Sequence, residues 1–570
     1  GAIVHGKYSS SIANEAGSHI LSEATVGSSD ADGYGGRAVS FGVHMFGNGM
    51  DHGEIDNDGS IVSRATSIPG SVANASPGLA TAFGAAVGAY SNVLDGMLVN
   101  HGDIEASASA DFGYATAYAG FVLAAYEAGI TNTANIDASA AAAGGNAFAV
   151  GAHAYSMHAN VTYDCTYVEG PYGGYNICDY SNPHVVVDGG ESRITNQGDI
   201  TALANAAGGE GYSYGASSIG AFSARIDNAG AIAASTIADI AMATGALVRS
   251  SNGDASLVNG GDIIATATGT TSADATGAWV EGLDGATVEN HGQILAGAYG
   301  AGAAATALRM GDTGENVLTN DGTIGAFGDG TRIVIWSGAD ATAGIANNGT
   351  LVGAIVTGDL GDSLDNAAGG NVQAVGTSDF GSGDDAISTL AGPFSAYADT
   401  ISAGAGDDTV FAGGGFDQID GGAGEDTLKA YFAWSPDSFT LGAGSIRNGA
   451  NTVGINFGNF EHLDITTGSG ADNLTGGAGD DTLTGGGGAD TLTGGAGKDI
   501  FVFTDKTDSA VGASDLITDI AAGDRIDLHL IDAISKTGAD DAFHIVGKFT
   551  KHAGELVVSF DSASNTTSVS

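Results

Sequence analysis

Hydrophobic residues along the first two thirds of the chain recur in a short phrase: an aliphatic residue, an Asn, a Gly two places on, and a second aliphatic two places beyond it. Asn57, Gly59 and Ile61 carry the phrase, as do Asn100, Gly102 and Ile104, then Asn196, Gly198 and Ile200, then Asn228, Gly230 and Ile232. It returns at Asn259, Gly261 and Ile263, at Asn290, Gly292 and Ile294, at Asn320, Gly322 and Ile324, and at Asn347, Gly349 and Leu351. From Asn196 onward the asparagines are 32, 31, 31, 30 and 27 residues apart, which is a repeat period. Asn and Gly tolerate the backbone of a tight corner, and the aliphatics flanking a corner alternate inward on the two strands that meet there. Each period therefore predicts one coil over residues 1–375. Asn stacks on Asn as an internal amide ladder, and Ile stacks on Ile as a continuous core. Ile3, Ile12 and Ile20 with Asn14 and Gly17 predict a further coil at the start, with no capping helix.

From Gly381 the period drops to nine. One block holds Gly404, Gly406 and Asp408, then Gly413, Gly415 and Asp417, then Gly422, Gly424 and Asp426. A second holds Gly468, Gly470 and Asp472, then Gly477, Gly479 and Asp481, Gly486, Gly488 and Asp490, and Gly495, Gly497 and Asp499. An isolated copy around Gly381, Gly383 and Asp385 precedes both. An aliphatic or aromatic residue follows each Asp by two, so every unit reads as a Gly-rich turn ending in a carboxylate and then a short strand.

These units resemble the RTX nonapeptide of calcium-binding proteins exported by the type I pathway of Gram-negative bacteria. The segment after them, with Phe501, Phe503, Asp515, Asp519, Gly523, Asp524 and Asp527, resembles the cap of serralysin-type repeat domains. The Asn/Gly region resembles bacterial β-helical adhesins and autotransporter passengers. The resemblances imply an all-β chain: a right-handed parallel β-helix or solenoid over 1–375, a calcium-bound parallel β-roll over 376–505, and a capping region over 506–570. They further imply that two nonapeptides complete one coil. Several Ca²⁺ ions then sit between turns of successive coils, held by turn carbonyls and by the carboxylates of Asp385, Asp408, Asp417, Asp426, Asp472, Asp481, Asp490 and Asp499. The acidic loop after the repeats reads equally as a further Ca²⁺ site and as a solvated turn.

Composition narrows the partners. Gly is 96 of 570 residues and Pro only 6, a bias that disorder would share, but disorder does not require aliphatics at fixed phase. The net charge is −50, and no lysine occurs between Lys7 and Lys429, so phosphate backbones and anionic lipid are repelled and nucleic acid is excluded. A divalent cation is the natural partner of closely spaced aspartates. Without it the carboxylates of adjoining coils repel one another, so the repeats are expected to fold only on calcium, outside the cell. The longest uncharged run, over 138–163, contains Asn146, His153 and His158 and alternates as a strand does, so no membrane span is expected. The sequence starts at Gly1 rather than Met and stops at Ser570 with no evident export signal, so it reads equally as a whole chain and as a fragment of a longer one.

Residues 161–192 depart from the repeat. They hold the only cysteines, Cys165 and Cys178, expected to form a disulfide in an oxidising compartment, beside Tyr163, Tyr167, Tyr172, Tyr175 and Tyr180. This loop either braces the solenoid or offers tyrosines to a glycan or cell-surface partner. No His-Glu-x-x-His occurs among the 13 histidines, which excludes a zinc metalloprotease site. His52, His101 and His291 read as exposed residues at one variable corner position rather than catalytic groups. The expected role is therefore a secreted, calcium-binding structural protein of the bacterial surface or matrix, either self-assembling into a filament or layer or adhesive. The alternative is a polysaccharide epimerase or lyase with a β-helix catalytic domain, which needs clustered acid and base side chains.

Overall fold

The structure is a computed structural model. It describes all residues except 1, 7–8, 28–36, 48–49, 69–77, 88–92, 112, 157–159, 169–174, 187–189, 367–369, 374, 389–399, 413–415, 535–541, 551, 562–565 and 570. Strands and turns make up the described residues, and no α-helix occurs among them. None therefore supplies a helix long and apolar enough to cross a membrane. The chain divides into two units, Gly1–Ala386 and Ile387–Ser570.

In the first unit each coil has a short strand that ends on the corner Asn, followed by one or two strand segments after the corner Gly. Glu191–Asn196 leads into Asp199–Gly220, Ser223–Asn228 into Ala231–Ser250, and Ala255–Asn259 into Asp262–Glu281. All successive coils pair in parallel, with Ile194 on Ile226, Ile226 on Leu257 and Leu257 on Val288. The inward aliphatic stands two residues before the Asn. Leu98 and Leu257 are fully buried, whereas Val99 and Val258, immediately before Asn100 and Asn259, face outward. Ile200, Ile232, Ile263, Ile294 and Ile324 form the matching inward column after the corner, all 0% exposed. Small residues at the alternate inward positions, such as Ala202, Ala234, Ala265 and Ala296, keep the interior narrow.

The amide ladder is continuous. From Asn14 through Asn57, Asn100, Asn132 and Asn196 each Nδ2 donates to the next Oδ1 at 2.7–2.9 Å. The series runs on through Asn228, Asn259, Asn290, Asn320 and Asn347 to Asn366 at 2.7–2.8 Å. Two rungs were hidden in the sequence. Asn132 lacks the corner Gly, having Ala134 in its place, and Asn366 lies 19 residues after Asn347. The run of repeats is broken between Asn132 and Asn196 by an antiparallel hairpin, Asn160–Val168 against Tyr175–Val186. Its register sets Cys165 directly opposite Cys178, while their side chains and those of the neighbouring tyrosines lie outside the described residues.

In the second unit parallel partners are 18 residues apart: Ile401 on Ile419, Val410 on Leu428, Leu474 on Leu492, and Leu483 on Phe501. Two nonapeptides thus make one coil. Between the two blocks the chain makes an antiparallel excursion, Phe439–Gly442, Ser445–Asn448 and Gly454–Gly458, anchored by the stacked rings of Phe432 and Phe439 at 4.7 Å. After the last nonapeptide a final coil pairs at an offset of 25, with Leu492 on Ile517 and Phe501 on Ile526. A sheet of His544–Val546, Glu555–Asp561 and Thr566–Val569 follows.

Candidate metal centre

Each nonapeptide turn ends with its Asp side chain directed inward. All eight candidate aspartates, Asp385, Asp408, Asp417, Asp426, Asp472, Asp481, Asp490 and Asp499, are 2% exposed or less. The carboxylates of Asp385, Asp426, Asp472, Asp481, Asp490 and Asp499 form rows along the coils, because each Oδ1 accepts the backbone N–H one coil earlier. Asp472 accepts from Phe439 at 2.6 Å, Asp490 from Asp472 at 2.8 Å and Asp515 from Asp490 at 2.8 Å. On the other side Asp481 accepts from Leu463 at 2.8 Å, Asp499 from Asp481 at 3.0 Å and Asp524 from Asp499 at 3.1 Å. In the first block Asp426 accepts from Asp408 at 2.9 Å, and Glu461 takes the next place in the row, accepting from Asp426 at 3.0 Å.

The second carboxylate oxygen is the unusual one. In Asp426, Asp472, Asp481, Asp490 and Asp499 the Oδ2 atom is buried and makes no hydrogen bond of normal geometry, and none of these five forms an ion pair among the described residues. A buried, ionised oxygen without a partner is strongly unfavourable, so protonation is favoured instead. Burial accordingly raises the Asp490 carboxyl to about 7 and the Asp481 carboxyl to about 6, and pushes up those of Asp426, Asp472 and Asp499. Neighbouring carboxylates add to it: Asp515, Asp472 and Asp508 act on Asp490, and Asp499 acts on Asp481.

The glycines set how closely the coils approach. Carbonyl oxygens of Gly404 and Gly406 abut the α-carbons of Gly422 and Gly424, those of Gly468 and Gly470 abut Gly486 and Gly488, and those of Gly477 and Gly479 abut Gly495 and Gly497. A Cβ on the second member of each pair would overlap the carbonyl below it, and these six hold φ between +73° and +151°. Gly413 and Gly415 lie outside the described residues. What the turns present to one another is mainly carbonyl and carboxylate oxygen, with the His462 imidazole beside the Asp480 carbonyl at 3.1 Å. Oxygen donors suit a hard cation of flexible coordination, and Ca²⁺ fits that set.

Residues 371–570 match the family of the peptidase M10 serralysin C terminal. The serralysin-type domain covers both carboxylate rows of the second unit and the final coil. The acidic loop of that coil joins the rows, since Asp515 and Asp524 occupy row positions. Asp519 accepts from the N–H groups of Gly494 and Gly495, both at 2.9 Å. Sequence spacing missed these three, and Glu461, because they stand 25 or 35 residues from their row neighbours instead of 18.

The histidines do not share one position. His101 and His291 each follow a ladder Asn at the corner, His101 against the Thr133 hydroxyl at 2.7 Å and His291 beside Asp321 at 3.0 Å. His52 instead lies within the strand Met50–Asn57, paired with Asp95, because Asp58 occupies the corner there. All three are exposed on the outside of the coils.

Proposed function

We propose that this protein is a secreted calcium-binding structural component of a bacterial surface or matrix, whose carboxylate-bearing coils fold when Ca²⁺ enters between their turns outside the cell. The observation carrying this reading is the set of buried Oδ2 atoms of Asp426, Asp472, Asp481, Asp490 and Asp499, which make no hydrogen bond of normal geometry. Such groups cost far more than the small Ala and Leu core beside them offsets, unless a cation compensates them. Metal affinity then becomes folding free energy, and a chain kept unfolded at low cytosolic Ca²⁺ could be threaded outward and fold at millimolar Ca²⁺. The serralysin-type domain supports export by the type I pathway.

A role in assembly or adhesion rests on the first unit. Its outer face carries a stack of aromatic rings, Phe41 on Phe83 at 5.0 Å and Phe83 on Tyr118 at 5.2 Å, a surface suited to contact with a neighbour. Circular dichroism with and without Ca²⁺, together with electron microscopy of the same samples, tests both parts. Strand signal and ordered filaments or sheets that appear only with Ca²⁺ are expected. An unchanged spectrum after exhaustive EGTA treatment would remove the folding claim, and monodisperse single particles at high protein and Ca²⁺ would remove the assembly claim.

A further inference from the structure

Asp362 lies before the matched family and outside every nonapeptide, in a stretch whose sequence reads as Asn-ladder solenoid. It nevertheless occupies the same kind of position as the row aspartates. Its Oδ1 accepts the N–H of Ala343 one coil earlier, its own N–H donates to Asp385 Oδ1 at 2.7 Å, and its carbonyl accepts from Ala386 at 2.9 Å. Asp472 makes the same three bonds, with Phe439, Asp490 and Thr491. One contact between the turns is also shared: the Gly358 carbonyl abuts Gly381 as the Gly468 carbonyl abuts Gly486, while the second differs, with Asp384 presenting its carbonyl back to Gly361.

Asp362 is 3% exposed, and its Oδ2 is buried with no hydrogen bond of normal geometry. The Thr357 hydroxyl and the Gly358 N–H are near enough to favour the ionised form, but that hydroxyl donates to the Phe380 carbonyl at 3.1 Å. An earlier rung of the same column shows the alternative. Asn316 there is fully satisfied: its Oδ1 accepts from Ala286 at 3.0 Å, and its Nδ2 donates to the Gly311 carbonyl at 2.8 Å and to Ser337 Oγ at 2.9 Å. Where the protein closes the column with its own groups it uses an amide; at Asp362 it uses a carboxylate and leaves one buried oxygen without a hydrogen bond of normal geometry.

We infer that Asp362 is a ligand of a divalent cation, a hard ion of the Ca²⁺ type, seated between the turns 358–361 and 381–384, so that the Asn-ladder unit holds a cation site of its own. The coil that bears it also bears Asn366, the last rung of the ladder, so one coil is held by both devices. This inference rests on the calcium reading above but makes a separate demand on one residue.

The test uses the full chain and its Asp362→Asn variant. Ca²⁺ stoichiometry is measured by equilibrium dialysis, and amide exchange of Ala343 and Asp362 is followed with Ca²⁺ and with EGTA. We expect the variant to bind one ion fewer. We also expect it to melt higher than wild type in EGTA, where a buried charge has gone, and lower in Ca²⁺, where a ligand has gone; a merely structural residue would shift both in one direction. Equal stoichiometry in the two proteins overturns the site. If the variant does not fold, the wild type decides: Ca²⁺-dependent protection at Ala343 and Asp362 supports the site, and protection indifferent to Ca²⁺ while nonapeptide amides respond overturns it. A wild type that binds no Ca²⁺ at all defeats the broader reading instead.

Discussion

Asp490 is 1% exposed, its Oδ1 takes one N–H, its Oδ2 takes none, and its carboxyl is raised to about 7. A carboxyl that is harder to ionise in the folded than in the unfolded state stabilises the fold below its unfolded value of about 4 and loses that contribution as pH rises through the folded value. Metal-free protein should therefore gain structure in acid and lose it between about pH 4 and pH 7, through Asp481 first and then Asp490. Circular dichroism in EGTA across that range checks the sign; greater structure at pH 8 than at pH 5 would contradict it. Calcium must displace the protons held by the metal-free fold, so titration calorimetry near pH 5, where that fold persists, should show proton release in buffers of different ionisation enthalpy. The ladder asparagines are neutral and need no ion. Asn259 gives its Nδ2 to Asn290 and takes that of Asn228, so Asn259→Ala removes both bonds, leaving the buried Asn290 Oδ1 without its ladder donor and Asn228 Nδ2 with only the carbonyls of Gly230 and Asp262. At roughly 1–3 kcal/mol for the acceptor left unpaired, the first unit should lose about that much in urea unfolding with Ca²⁺ present.

At the scale of single coils, a strand that ends on Asn and one that ends a Gly-x-Gly turn solve one problem differently. Both must let the next coil approach within a hydrogen bond, and both leave buried polar atoms at the corner. The Asn corner pairs those atoms with the neighbouring coils, whereas the Gly/Asp turn leaves oxygens facing one another. Gly424 shows how tight the second arrangement is: its φ is +151° and the Gly406 carbonyl abuts its α-carbon. Gly424→Ala should prevent the Asp408 and Asp426 coils from closing and raise the Ca²⁺ needed for half folding severalfold, measured by circular dichroism. Gly208, where a Cβ would meet no atom within 4 Å, should accept Ala with little change in the same measurement. The excursion between the two blocks depends on the buried ring pair Phe432 and Phe439, and Phe439→Ala should cost about 3–5 kcal/mol in the Ca²⁺-loaded state.

For the whole molecule, the two units should respond differently to calcium. Most of Gly1–Ala386 is closed by amides, aliphatics and alanines, while Ile387–Ser570 depends on rows of carboxylates. Hydrogen exchange in EGTA should leave Ile226, Leu257 and Val288 protected and expose Leu474, Leu483 and Leu492. Simultaneous loss of protection in both sets would mean that the ladder cannot sustain its unit alone. Charge points the same way: a chain at −50 gains from any divalent cation it can draw between coils, and high monovalent salt should only partly replace that effect.

The period of each repeat was legible in the chain, because stacking demands the same residue at the same place in every coil. Asn196 through Asn347 announced the ladder, and the nine-residue spacing of Asp472 to Asp499 announced the rows. Asn366, Asp362 and Glu461 were not legible, since each joins its column across an interval that no fixed period predicts. Asn132 keeps the 32-residue interval from Asn100 but lacks the corner Gly, and Asp515 and Asp524 could be read only as an acidic loop, without a place in a row. Their places follow from strand registers 19, 25 and 35 residues long, which depend on how the intervening chain loops out and returns. The same holds for the inward choice of Leu98 over Val99 and Leu257 over Val258, which pairing with Ile130 and Ile226 decides. Sequence alone thus determined which chemical groups stack, because composition and period set the ladder and the rows. Only the tertiary structure decided where each column begins and ends, because that depends on which backbone N–H the next coil brings within reach.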